Sequence, residues 1–171
     1  MPRWNILVLC TGNSARSILA EALFNHCSAG WFKCNSAGSQ PTGQVNPFAL
    51  REIAAQGIEP VGYRSKSWQE FTGKSAPRLD VLLTVCDSAA AEVCPAFAGD
   101  YEHVHWGLPD PAAAGDDEKP AAFANCFATL KQRLDALLRL PLAEFTRGDL
   151  ALAMRKLAGA DVPAPVLDGV D

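Results

Sequence analysis

Along the chain, short runs of consecutive apolar residues alternate with stretches in which apolar residues recur every three or four positions. That alternation predicts strands joined through amphipathic helices, hence βαβ units and a parallel sheet. Ile6 to Leu9 reads as the first strand and Ser17 to Cys27 as the first helix, with Ile18, Leu19, Ala22 and Leu23 on one face. Phe32 to Ser36 reads as a second strand, closed by Ala37-Gly38. Asn46-Pro47 opens a helix running to about Gln56, with proline in its first turn and Gly57 after its end. Asp80 to Val85 is a buried strand leading into Cys86. Glu102 to Trp106 is another, feeding a loop rich in glycine, proline and alanine from Gly107 to Gly115.

A long helix follows from about Glu118 to Leu138, with Phe123, Phe127, Leu130, Leu134 and Leu137 at helical spacing. The pattern describes one α/β domain over residues 1–141. Residues 142–171 read as a C-terminal extension, not a separate domain: a short helix to about Ala158, then a loosely held tail with Pro163 and Pro165.

Composition adds exclusions. With 171 residues, 49% of them hydrophobic, the chain can build a proper core. A net charge of −4 argues against general nucleic-acid binding. It leaves room for an anionic substrate, because a site of backbone amides and one arginine acts locally. No apolar run is long enough to cross a bilayer. The first residues lead directly into a strand that a cleaved signal peptide would remove, so a cytoplasmic location is expected.

Six cysteines in a reducing compartment call for catalysis, metal binding or packing as their explanation. Cys27, Cys34 and Cys126 sit among small or apolar residues and read as packed. A zinc site from Cys86, Cys94, His103 and His105 is disfavoured, since no Cys-x2-Cys pair begins it. His105 beside Trp106 reads as packed and hydrogen-bonded, and His26 as a helix-surface residue.

The segment Cys10-Thr11-Gly12-Asn13-Ser14-Ala15-Arg16-Ser17 lies between the first strand and the first helix. A loop curling over a helix N-terminus points successive amides inward, and the helix dipole adds positive potential. Gly12 and Asn13 tolerate the left-handed backbone such a curl needs. A tetrahedral oxyanion fits there, with Arg16 able to clamp two of its oxygens. The same environment favours a thiolate at Cys10, a nucleophile at neutral pH. Ser17 can donate to that sulfur, and Asn13 can hold the loop in shape. No Gly-Lys-Ser/Thr is present to serve a nucleotide triphosphate.

This loop resembles that of the low-molecular-weight protein tyrosine phosphatases and the arsenate reductases related to them. The resemblance continues through Ser36-Ala37-Gly38, Val45-Asn46-Pro47, Val85-Cys86-Asp87 and His105-Trp106-Gly107-Leu108-Pro109-Asp110-Pro111, covering about residues 5 to 140 in order. It implies a four-stranded parallel sheet flanked by helices, with the site at the carboxyl ends of the strands. Asp110, which alone would read as a simple Asp-Pro turn, then resembles the family's general acid.

Within the family two branches stay open. A phosphatase needs apolar walls around an aromatic ring, whereas here Ala112, Ala113 and Ala114 follow Asp110-Pro111, and Thr11 and Ala15 flank the nucleophile. Cys86 and Cys94 favour the reductase of the thioredoxin-coupled type, in which the resemblance implies a relay. Cys10 attacks arsenate, Cys86 attacks the Cys10 sulfur to release arsenite, and Cys94 then takes Cys86 into a second disulfide for an external thiol reductant, thioredoxin or glutaredoxin. Phosphate or sulfate would mimic the substrate. In the alternative, a phosphomonoesterase, Cys86 and Cys94 are ordinary buried cysteines; a non-enzymatic thiol regulator is the remaining class.

Seven residues separate Cys86 from Cys94, one more than is usual in those reductases. Asp87 to Val93 is alanine-rich; as a helix it would hold the sulfurs roughly two turns, about 12 Å, apart, so the disulfide would require unwinding. The family's reductases can also carry potassium beside the loop. Asn13, Glu21 and Ser36 match its ligands, while the remaining acidic position corresponds to Ser67, so any ion is expected to bind weakly.

Overall fold

The computed structural model describes residues 4–92 and 94–159. The tail expected to carry Pro163 and Pro165 lies outside these residues, as does Val93.

Burial along each strand shows its place in the sheet. In β1 (Trp4–Cys10), Ile6, Leu7, Val8 and Leu9 are all buried, and so is every residue of β3 (Val81–Thr84). Continuous apolar runs belong to central parallel strands, covered on both faces. β2 (Phe32–Gly38) and β4 (Glu102–His105) bury their residues less evenly and lie at the edges. The four strands are parallel in the order β2-β1-β3-β4, with Leu9 opposite both Ala37 and Thr84.

Five α-helices complete the described residues. α1 (Arg16–Cys27) buries Ser17, Ile18, Leu19, Ala20, Ala22, Leu23 and Phe24, so most of it is covered, with Asn25 and His26 exposed near its end. α2 (Pro47–Ala55) starts as the residues predict: the Asn46 side chain accepts from the Phe48 amide at 2.9 Å, and Pro47 occupies the first turn. α4 (Lys119–Leu138) buries the predicted stripe of Phe123, Phe127, Leu130, Leu134 and Leu137, and packs against α1 and α2.

Two elements differ from the sequence reading. The alanine-rich helix α3 (Asp87–Ala91) is only five residues long, because Glu92 is extended. A short 3-10 turn at Trp68–Phe71, capped by the Ser67 side chain, had no periodic signature to predict it.

α5 (Arg147–Gly159) lies against β4 and α4. The fully buried indole of Trp106 donates to the Met154 carbonyl at 2.8 Å, and Arg155 donates to the His103 carbonyl at 2.8 Å. The extension thereby covers the outer edge strand, which would otherwise present unpaired backbone groups. No described helix is long and apolar enough to cross a membrane.

Candidate active site

Parallel strands end together, so the residues that follow them gather along one edge of the sheet. Connections leave β1 and β3 in opposite directions, toward β2 and β4 respectively, which opens a crevice between the two central strands. Cys10 is the last residue of β1, and Cys86 lies two residues beyond the end of β3, across that crevice. Asp110 arrives on the loop after β4.

The turn from β1 into α1 is built as an anion cradle. Its carbonyls are occupied from outside: Thr11 accepts from the Gln40 amide at 3.0 Å, Gly12 from the Thr42 amide at 3.1 Å, Ser14 from the Asn46 amide at 3.0 Å and Ala15 from the Leu19 amide at 3.0 Å. A trans peptide sets each carbonyl opposite the next residue's amide. With these carbonyls turned outward, the amides of Gly12, Asn13, Ala15 and Arg16 face the loop centre, at the start of a helix.

Asn13 fixes the curl. It is buried with φ +47, its Nδ2 donates to Ser17 Oγ and Ser36 Oγ at 2.9 Å each, and its Oδ1 accepts from the Lys66 amide at 2.9 Å. Ser17 Oγ accepts from Asn13 Nδ2, a bond that does not use its own hydroxyl hydrogen. Gly38 lies directly beneath: a Cβ there would collide with the Thr11 carbonyl and lie 3.0 Å from that of Cys10.

Arg16 links the cradle to the Asp110 loop. Its Nη1 donates to the Leu108 carbonyl at 2.9 Å, and its Nη2 lies 3.9 Å from Asp110 Oδ2. The Asp110 carboxylate also caps the following turn, accepting from the Ala112 amide at 3.0 Å. The cavity beside it is lined by Leu108, Asp110, Pro111, Ala113, Asn125 and Cys126, with no aromatic side chain among its lining residues.

Cys10 and Cys86 are both buried and near enough for their titrations to be coupled. The neighbouring Cys86 sulfur, with burial adding to the effect, pushes the Cys10 pKa far up, against the pull of Arg16 and of the Gly12 amide. The Cys86 thiol is correspondingly lowered to about 5. Its sulfur is stabilised as the anion chiefly by the neighbouring Cys10 thiol, and burial opposes this. It also accepts from the Ala89 amide at 3.4 Å, with the Thr11 hydroxyl 3.7 Å away. The two thiols therefore titrate as a pair in which Cys86 ionises more readily, and not Cys10 as the loop alone leads one to expect.

Cys94 is only partly buried, unlike Cys86. The segment between them is held at two points: Glu92 accepts from Ser39 Oγ at 2.7 Å, and Asp87 Oδ1 lies 3.0 Å from His105 Nε2. The other nitrogen of His105 meets the Thr84 hydroxyl at 2.8 Å, which also meets His103 at 3.0 Å. Both histidines are therefore hydrogen-bonded, His105 half-buried and His103 exposed, and no described cluster of three or more His, Cys, Asp or Glu side chains could hold a metal ion. Cys34 and Cys126 are buried, Cys27 partly so, and His26 is exposed.

The residues matched to potassium do not fit an ion. Glu21 and Ser36 converge as expected, but the Lys66 ammonium lies among them, 3.5 Å from Ser36 Oγ and 3.7 Å from Glu21 Oε1. Ser67 is turned away, accepting from the Gln69 amide at 3.1 Å. Lys66, the Leu108 carbonyl and Ser65, whose hydroxyl donates to the Gly12 carbonyl at 3.0 Å, are the contributors that sequence reasoning missed. No local pattern distinguishes Lys66 from an ordinary surface lysine in Arg64-Ser65-Lys66-Ser67.

Residues 5–150 match the family described as low molecular weight phosphotyrosine protein phosphatase. An arsenate reductase of Halalkalibacterium halodurans is 40% identical over 132 residues, which are 75% of this chain and 91% of that protein. The crystal structure of an arsenate reductase from Archaeoglobus fulgidus is similar with a TM-score of 0.60 at 26% identity, covering 76% of this chain and 98% of the other. A low molecular weight protein tyrosine phosphatase from T. tengcongensis is similar with a TM-score of 0.61 at 21% identity, covering 80% and 98%. One backbone therefore carries two chemistries, and the side chains at the crevice must discriminate between them.

Proposed function

The chain belongs to the low molecular weight phosphotyrosine protein phosphatase family, and on that premise we propose that it is an arsenate reductase working through a three-cysteine relay. The observation that carries this reading is the second sulfur, that of Cys86, set beside the nucleophile Cys10 so that the two titrate together. Ester hydrolysis has no use for it. Reduction of arsenate needs two electrons, and a thiolate in contact with Cys10 can supply them.

Arsenate enters the amide cradle, with Arg16 clamping its oxygens. Cys10 passes its proton to the Cys86 sulfur and attacks arsenic, while Asp110 protonates the departing oxygen, which leaves as water. Cys86 gives that proton to an oxygen of the bound arsenic and attacks the Cys10 sulfur. The S–S bond forms as the S–As bond breaks, its electron pair stays on arsenic, and arsenite departs. The two sulfurs have then lost the two electrons that arsenic gained. Cys94 next attacks Cys86, the Cys10 thiolate leaves, and a dithiol protein such as thioredoxin reduces the Cys86–Cys94 disulfide.

The last exchange requires the Asp87–Glu92 segment to let go of Ser39 and His105. Its brevity as a helix supports this, since little helical structure has to unwind.

The test is arsenite formation with thioredoxin, its reductase and NADPH as the sole electron source. Cys94→Ser should yield one arsenite per protein and stop with Cys10 bonded to Cys86, detectable by peptide mapping. Aryl phosphate hydrolysis without arsenite production would leave the chain a phosphatase.

A further inference from the structure

Beside the oxyanion loop, where the family resemblance leads one to look for potassium, the structure places a side chain of its own. We propose that Lys66 is a tethered substitute for that cation, its ammonium holding the oxyanion loop in shape through Glu21, Ser36 and Asn13, so that anion binding needs no free monovalent ion. The inference concerns the cradle and is independent of whether the bound anion is reduced or hydrolysed.

The contacts suit an ammonium. Its three N–H bonds face three oxygens: the Arg64 carbonyl at 3.2 Å, Ser36 Oγ at 3.5 Å and Glu21 Oε1 at 3.7 Å. Lys66 and Glu21 have side chains only 7% and 15% exposed, and charges at that depth persist only when paired. Burial lowers the Lys66 pKa, and the Glu21 carboxylate works against that loss.

From this pair the order runs straight to the loop. Ser36 donates its hydroxyl hydrogen to Glu21 and accepts from Asn13 Nδ2, and Asn13 Nδ2 also donates to Ser17. The lysine acts twice, since its own backbone amide donates to Asn13 Oδ1 and its carbonyl accepts from the Gly38 amide at 2.9 Å. Asn13 is thereby held at φ +47, the left-handed turn on which the direction of the loop amides depends. A free ion in this place would act only when bound from solution, whereas a tethered one is always present. Lys66 is thus a positioning residue for oxyanion binding.

The measurement is calorimetric titration of inorganic phosphate into the full chain at equal ionic strength in potassium, sodium, ammonium or choline chloride. The native chain should bind phosphate equally in all four. Lys66→Ala should bind it roughly tenfold more weakly in choline chloride, as loss of an outer-shell support typically does. Potassium or ammonium should restore most of that loss, because each can enter the space left beside Glu21. Potassium-dependent binding by the native chain overturns the proposal. So does a Lys66→Ala variant that binds normally in choline, or one whose loss no cation repairs.

Should Lys66→Ala fail to fold, thermal melts of Lys66→Met, Glu21→Gln and the double variant decide the matter. The double variant should melt above Lys66→Met, since it removes the stranded carboxylate. Strictly additive shifts overturn the pairing.

Discussion

Cys10 at the end of β1 and Cys86 after β3 meet across the switch point of the sheet, so that the thiols of two residues 76 positions apart titrate as a coupled pair. The consequence for pH can be worked out. In the unfolded chain a thiol loses its proton near pH 8.5, whereas folded Cys86 loses it at about 5. Between those values the unfolded state holds the extra proton, so stability from this group rises with pH, is complete above the ordinary thiol range and is lost as pH falls toward 5. The difference in Tm between the native chain and Cys86→Ser should therefore be larger at pH 8 than at pH 5. A constant difference would mean that Cys86 is not the charged sulfur.

Asp110→Asn separates the acid from the cap. An asparagine can still accept from the Ala112 amide, as the carboxylate does at 3.0 Å, and so preserves the turn. It cannot supply a proton. Hydrolysis of phenyl phosphate should fall about 100-fold, within the usual range for removing a general acid. Hydrolysis of p-nitrophenyl phosphate, with its better leaving group, should fall less. Equal losses in steady-state assays would assign Asp110 a positioning role only.

Gly38→Ala inserts a Cβ into the Thr11 and Cys10 carbonyls. Backbone atoms cannot rotate away as a side chain would, so the floor of the loop must shift. We expect a loss of about 1–3 kcal/mol, the usual range for overpacking, together with weaker phosphate binding. Urea titration and calorimetry measure the two. An unchanged midpoint would show that the loop yields freely.

Trp106→Phe keeps the ring but removes the N–H that the Met154 carbonyl accepts at 2.8 Å. Met154 lies within α5, so its carbonyl keeps the helix's own bond and the loss is that of one buried hydrogen bond, about 0.5–1.5 kcal/mol. The amides of α5 should exchange faster with deuterium than those of α4. Equal protection in both helices before and after the change would mean that α5 is held elsewhere.

What the residues alone determined is local chemistry. The continuous apolar run at Ile6–Leu9 marks a central strand because both faces of a parallel sheet are covered. The Asn46-Pro47 pair marks a helix start because its side chain and fixed φ act within one turn. Cys10 to Arg16 is legible as an anion loop because its strand, glycine, asparagine and arginine lie within a few positions of one another. Only the tertiary structure decided what distant segments bring to it. Lys66 reaches Glu21 from another element, and Cys10 at the end of β1 meets Cys86 after β3. The Asp87 helix stops at Ala91, with Ser39 holding the Glu92 that follows. Periodicity and propensity act over a turn or two of chain, whereas charge pairing, proton sharing and burial depend on distance in space.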